Sequence, residues 1–274
     1  MPQKAAGSVL RASMDEGEAG PRRLSKKARH ERILAELRAS PTIRIASLAS
    51  QFGVSTETIR RDFEEMASNG LVDRTYGGAV ARPLGFEPAW TERYGAMSAE
   101  RDRIAAVAAA LVQPGEALMI DGGTTALHFA RRLAAVARDL AVVTNSLPVA
   151  QALGANPGFR VICCPGALDA REGIVAGPET LAFLDRFQAN RAVVGASGLT
   201  VEGPTEINSG AAAVKRAMFR RAAERILLLD HAKFEKPNLE VVCPLADISR
   251  LVSDAPPPPA LAAALAEAGT EVLH

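Results

Sequence analysis

Cysteine is scarce in this chain. There are three in 274 residues, Cys163, Cys164 and Cys243, an odd number with one adjacent pair and no Cys-x-x-Cys spacing. That pattern excludes a cysteine-built metal site and reads as reduced, buried thiols. Long apolar runs are also lacking. No stretch reaches the roughly eighteen residues a membrane span needs, and the N-terminus has no uninterrupted apolar signal core, so a cytoplasmic protein is expected. Net charge is only +1, from 32 Lys and Arg against 31 Asp and Glu. Bulk attraction to nucleic acid is thereby excluded, and any such binding must come from local basic clusters. Aromatic residues amount to 4% with a single tryptophan, and the four histidines form no cluster, so no metal and no cofactor are expected. There is no internal repeat.

What is present is ordinary for a folded chain: 48% hydrophobic and 23% charged residues, over a length that suits one small and one larger domain. Residues 1–24 mix Gly, Ala, Ser and charge without periodicity and read as a mobile tail. A small domain is expected over 25–80. Ile33, Leu34 and Leu37 form a helical stripe that ends before Pro41. Two further helical patterns follow, with Ile45, Leu48, Ala49 and Phe52 on one and Ile59, Phe63 and Met66 on the other. Gly53 separates them and Ser55 is placed to cap the second, which is helix-turn-helix spacing. "LVDRTYGGAVARP" then has the size of a two-stranded wing. The same spacing also fits a helical hairpin used only for packing. Charge placement favours DNA: Arg60 and Arg61 lie in the first two turns of the second helix, where recognition helices enter the major groove. Arg22, Arg23, Lys26, Lys27, Arg29 and Arg32 add a basic run suited to the phosphate backbone.

Residues 81–98 read as a linker holding the only Trp. From 99 to 274, seven apolar runs alternate with helical patterns: "ALMID", "LAVVTNS", "FRVICCPG", "RAVVGASG", "RILLLDH", "RLVSD" and "TEVLH". They predict an α/β domain with a largely parallel sheet and helices on both faces. "ALMIDGGTTALHFARRL" is a strand, a small-residue loop and a helix, so the amides around Gly122, Gly123, Thr124 and Thr125 fall at a helix N-terminus suited to phosphate. Gly-Gly-Thr-Thr equally makes a plain turn and cap. Asp121, Asn145, Gly166, Asp230 and Lys233 stand at strand ends, where ligands bind in open α/β sheets, and Lys215 is a further candidate cation. His128 reads as a packing residue, His231 as a possible neighbour of the crevice, and Glu64–Glu65 as a solvated face.

The stretch "RHERILAELRAS…IASLASQFGVSTETIRRDFEEMASNGLVDRTYGGAV" resembles the DNA-binding domain of the DeoR family of bacterial transcriptional regulators. The match rests on Ser55, Thr58, Ile59, Arg60, Arg61, Asp62, Gly77 and Gly78, with Phe63 in place of the family's Leu and Tyr76 in place of a His. It continues through "DGGTT", "TNSLPVA", "GASG", "VKRAM" and "DHAKF". Departures there are Pro165–Gly166 for Gly-Gly, Ala232 for Ser, Ala211 for an acidic residue and Glu206 for a neutral one. The resemblance implies a winged helix-turn-helix joined to a sensor domain related to sugar-phosphate isomerases. It implies a repressor of carbohydrate or polyol genes, not an enzyme, that binds operator DNA through Lys26, Ser55, Thr56, Thr58, Arg60, Arg61, Tyr76 and Gly77. A phosphorylated sugar or polyol is the implied effector, and a homo-oligomer, dimer or higher, the implied assembly. A sugar-phosphate isomerase fused to a DNA-binding domain is the alternative, with Asp121, Glu179, Glu206 and Asp230 as possible bases.

Overall fold

The computed structural model describes residues 24–39, 42–68, 72–75, 78–81, 89–95 and 97–274. Of residues 1–24, read as a tail, 1–23 lie outside the described residues, as do Tyr76, Gly77 and 82–88. Contacts divide the chain into two compact units, Met1–Ala81 and Arg82–His274. Among the described residues no helix is long and apolar enough to cross a membrane.

The first unit packs α1 (Lys26–Ala39), α2 (Ile45–Phe52) and α3 (Thr56–Ser68) against a small antiparallel sheet. Its core is Ile33, Leu37, Leu48, Phe52, Ile59, Phe63 and Met66, all nearly inaccessible to solvent. These are the residues that helical spacing selects. The sheet is a surprise in one respect. The wing strands β2 (Val72–Thr75) and β3 (Gly78–Ala81) pair as expected, but a third strand, β1 (Thr42–Arg44), joins β3 on its other side. That approach requires Gly78: a Cβ there would lie 2.1 Å from the Ile43 carbonyl oxygen.

The second unit opens with α4 (Trp90–Tyr94) and α5 (Ser98–Ala110), so the stretch read as a linker holds a helix that packs on the unit that follows. The remaining order is β4 (Ala117–Ile120), α6 (Thr124–Val136), β5 (Ala141–Thr144), α7 (Leu147–Gly154), β6 (Arg160–Cys163), β7 (Ala167–Asp169) and β8 (Ile174–Ala176). Then come α8 (Pro178–Leu184), β9 (Ala189–Val194), β10 (Gly198–Thr200), β11 (Gly203–Glu206), α9 (Ser209–Arg220) and β12 (Ala222–Leu228). The chain closes with β13 (Glu240–Val241), β14 (Arg250–Val252), α10 (Pro259–Glu267) and β15 (Glu271–Leu273).

The seven apolar runs form one sheet of order β15-β14-β12-β9-β4-β5-β6, parallel throughout. Strand residues alternate between two cores, as a period of two demands. Leu118, Ile120, Val142, Val193, Ile226 and Leu228 pack with Ile104, Phe129 and Leu133 on one face. Met119, Val143, Ala192, Val194, Leu227 and Leu251 pack with Val214, Met218, Leu261 and Leu265 on the other. From β4 the chain builds outward through β5 and β6, then returns to place β9 on the opposite side of β4. The β4/β9 boundary is therefore the topological switch point, where a crevice opens beyond the strand ends. Two short excursions, the β7–β8 hairpin and the β10–β11–β13 sheet, follow β6 and β9.

The reading of all three cysteines as buried needs correction. Cys163 is exposed near the end of the edge strand β6, whereas Cys164 is buried and Cys243 half-buried. Burial pushes the Cys164 and Cys243 thiols up to about 12, which keeps them as inert thiols.

Candidate functional site

In the first unit, the turn between α2 and α3 is made by Gly53 in the left-handed conformation at φ 62°. Ser55 Oγ accepts from the Thr58 amide at 3.1 Å and lies 2.9 Å from Thr58 Oγ1, so it caps α3 as its sequence position suggests. With Ile59, Phe63 and Met66 turned inward, the outer face carries Thr56, Glu57, Arg60, Arg61 and Glu64. The Arg60 and Arg61 side chains are 59% and 78% exposed. Glu57 sits 3.8 Å from one and 3.4 Å from the other, in exposed pairs worth about 0.3–0.5 kcal/mol each. So little holds them that both guanidiniums are available to an incoming phosphate or guanine. Lys26 is also exposed and pairs with Glu65.

One basic residue is misplaced by the sequence reading. Arg29 does not face solvent as a backbone contact: its Nε and Nη2 donate to Asp62 at 2.7 and 2.9 Å. His30 Nε2 lies 3.1 Å from the same carboxylate. Burial works to raise the Asp62 carboxyl, but the bonds from Arg29 and His30 outweigh it and hold it below the usual carboxylate range. Asp62 thus fastens the recognition helix to α1. Tyr76 and Gly77 lie outside the described residues.

In the second unit, a cavity of about 230 Å³ opens at the switch point. The β4 end supplies Asp121, and the loop into α6 supplies Gly122, Gly123, Thr124 and Thr125. Both threonines are buried in the first turn of α6, whose free amides make an electropositive end. Lys233 also lines the cavity, its Nζ donating to the Ala196 carbonyl at 2.6 Å just past the end of β9. The lining also holds a buried charge cluster. Lys215 Nζ is 2.7 Å from Asp121 Oδ2 and 3.0 Å from Glu206 Oε2. Glu206 Oε1 accepts from Ser197 Oγ at 2.5 Å and from the Ile207 amide at 2.9 Å. Burial opposes the charge on Glu206, yet Lys215 and these bonds hold its carboxyl at about 2. Burial wins at Asp121, which is raised, while its two carboxylate neighbours raise Lys215 against its own burial.

Asp121, Gly122, Gly123, Thr124, Thr125, Lys215 and Lys233 therefore line one cavity. Asn145, Gly166 and Asp230 are not among its lining residues, contrary to the convergence expected of strand ends. Asn145 is fully buried, with Nδ2 donating to the Val175 carbonyl at 3.1 Å, and ties β5 to β8. Gly166 packs against Thr180 and Ala176. Asp230 is buried 3.6 Å from Arg101. His231 also turns away, its Nδ1 2.6 Å from Asp254 Oδ2, and Glu179 is exposed outside the lining. His128 packs as expected, stacked on Tyr94 with Nδ1 2.7 Å from Asp102.

Arg93, Asp169, Arg171 and Glu172 line the cavity without any sequence signal having selected them, and Ser197, within the "GASG" stretch, lines it without having been singled out. Asp169 organises the β7–β8 turn, its Oδ1 accepting from the Arg171 and Glu172 amides at 3.0 and 3.2 Å. Its Oδ2 accepts from Asn208 Nδ2 at 3.0 Å, and Asn208 Oδ1 caps α9, the helix that carries Lys215.

Comparison with known proteins agrees with this division. Residues 96–255 match the DeoR C terminal sensor domain, and residues 29–82 match the DeoR-like helix-turn-helix domain. The glycerol-3-phosphate regulon repressor of Escherichia coli (strain K12) is 31% identical over 236 residues, 86% of this chain and 93% of that protein. The HTH-type transcriptional repressor CsqR of the same organism is 30% identical over 251 residues, 91% of this chain and 96% of that protein. The transcriptional repressor AccR of Agrobacterium fabrum is 29% identical over 239 residues, 84% and 90% of the respective chains. Among solved structures, ribose 5-phosphate isomerase A from Methanocaldococcus jannaschii aligns at a TM-score of 0.37 and 16% identity, over 50% of this chain and 55% of that one.

Proposed function

The chain belongs to the DeoR family of bacterial transcriptional regulators, and from that premise we propose that it is a repressor of carbohydrate or polyol catabolism genes, controlled by a phosphorylated metabolite. The observation that carries this reading is the cavity at the switch point, which joins the Gly122–Thr125 loop, the α6 N-terminus and Lys233. Those groups suit a phosphate: amides and a helix end for its oxygens, an ammonium for its charge. The Asp121–Lys215–Glu206 cluster then meets the rest of the ligand, where carboxylates and an ammonium suit hydroxyl groups. One relative is named for the glycerol-3-phosphate regulon and another for the aga operon, and triose, polyol, pentose and hexose monophosphates form the panel to test. Binding of one of them to the full-length chain by calorimetry, with no turnover, is the expected result.

On the DNA side we assign Arg60, Arg61, Thr56 and Lys26 to the groove and backbone, and keep Tyr76 and Gly77, which lie outside the described residues, as DNA contacts on their sequence position alone. Ser55 and Thr58 hold the start of α3, and contact DNA from there. A homodimer is the smallest assembly that reads a repeated half-site, with recognition helices about 34 Å apart. Working on DNA places the protein in the cytoplasm. Ligand control follows from linkage: the effector binds the DNA-bound and DNA-free states unequally, and the difference sets the response.

An isomerase reading finds one observation in its favour, the buried acid and base groups. Two of the three are badly tuned for it: the Glu206 carboxyl, held at about 2, is a weak base, and the raised Lys215 stays protonated. Burial raises Asp121, the direction a proton-transfer group needs, but its ion pair is with that same protonated lysine. Turnover of any monophosphate in the panel would decide for that reading.

A further inference from the structure

Helix α4 is five residues long, too short to be stable alone, so its contacts explain its presence. The Trp90 amide donates to the Arg171 carbonyl at 3.1 Å. Trp90 also lies so close to the β7–β8 turn that a Cβ on Gly173 would come 2.9 Å from Nε1. The Arg93 carbonyl accepts from Arg101 Nη1 at 2.7 Å. The Arg93 guanidinium pairs with Glu172 in the turn, and both residues line the cavity.

Two ion-paired groups thus face the same space, and they differ in what it costs to open them. Withdrawing Lys215 would strand two carboxylates that are 1% and 8% exposed. The Arg93 and Glu172 side chains are 13% and 20% exposed, so Glu172 keeps access to water if another anion takes its guanidinium. A guanidinium can also grip two oxygens of a phosphate or carboxylate at once.

We propose that Arg93 is an effector-binding residue, and that an anionic group of the ligand displaces Glu172 from it. This rests on the reading of the cavity as the site of a phosphorylated effector. The exchange changes what holds α4, the first described element after residues 82–88 on the path from the DNA-binding unit. Ligand capture by Arg93 therefore gives occupancy of the cavity a direct grip on the segment that leads to the DNA-binding helices.

The test is calorimetric titration of full-length wild type, Arg93→Gln, Arg93→Lys and Glu172→Gln with inorganic phosphate and the monophosphate panel. Competition predicts opposite signs. Arg93→Gln weakens the binding ligand by about tenfold or more, as loss of hydrogen bonds to a charged group implies, and Arg93→Lys weakens it less. Glu172→Gln, which releases the guanidinium, tightens binding by about threefold or more. A pair that only supports the fold predicts the same sign in both positions or no change, and either result overturns the proposal. Arg93→Lys keeps the charge and carries the test should Arg93→Gln not fold. If wild type binds nothing in the panel, the effector reading falls and this inference with it; if it binds and the signs do not oppose, only this inference falls.

Discussion

Lys215 and Lys233 both line the cavity, yet their surroundings give them different work. Lys215 is wedged between two buried carboxylates, so its charge belongs to the structure as much as to the ligand. Lys215→Met leaves Asp121 and Glu206 facing each other and should destabilise the sensor unit by about 3–5 kcal/mol, read as a lower Tm. Lys233 is half-buried and bonded to a backbone carbonyl at the cavity wall. Lys233→Ala should leave Tm nearly unchanged and weaken effector binding about tenfold or more, with operator affinity in the absence of effector intact. Equal effects of the two variants on Tm and on binding would contradict this division. Both lysines were legible in the sequence, one as a cation inside an apolar helix pattern and one just past a strand end. Arg93 and Glu172 were not, because neither stands in a periodic segment and only the fold brings the β7–β8 turn beside α4.

Among the elements, the recognition helix is held from two sides: by Ile59, Phe63 and Met66 in the core, and by the Arg29–Asp62–His30 contact to α1. Asp62→Asn removes the charge that Arg29 faces and should cost the DNA-binding unit about 3 kcal/mol, measured by chemical denaturation. The pH dependence follows from the lowered carboxyl. Asp62 ionises more readily in the folded state, so its stabilisation is complete above the ordinary value of 3.8 and is lost as pH falls through the lower folded value. Acid unfolding of wild type should therefore lie below about pH 4, and Asp62→Asn should lose that dependence. The central sheet strands were legible because their residues are buried on both faces and read as continuous apolar runs, and the edge strands β6 and β15, which bury no residue fully, were legible from their apolar composition. Strand β1 and the two excursions were not. Each strand in them is at most four residues long, and their pairing depends on distant partners, as Gly78 against Ile43 illustrates.

For the whole molecule, near-neutral charge makes DNA affinity a local property. Net charge is +1, so the salt dependence of binding should report the few basic side chains of α1, α3 and the wing. Replacing Arg60 or Arg61 with Ala should lower the slope of log K against log salt by about 0.9 for each phosphate that the variant no longer neutralises. An unchanged slope and affinity in both variants would remove them from the interface. Effector at a hundred times its Kd should stabilise the sensor unit by about 2.7 kcal/mol, a rise in Tm that Lys233→Ala reduces. The two-unit plan carries the central claim, that a ligand in the switch-point cavity sets the affinity of the helix-turn-helix for DNA. Fluorescence anisotropy of the full-length protein on a labelled fragment from upstream of its own gene, repeated across the monophosphate panel, tests it most directly. One member should change the DNA Kd saturably by about fivefold or more, the range of coupling between linked sites, and a Kd that stays constant across the panel would contradict the account.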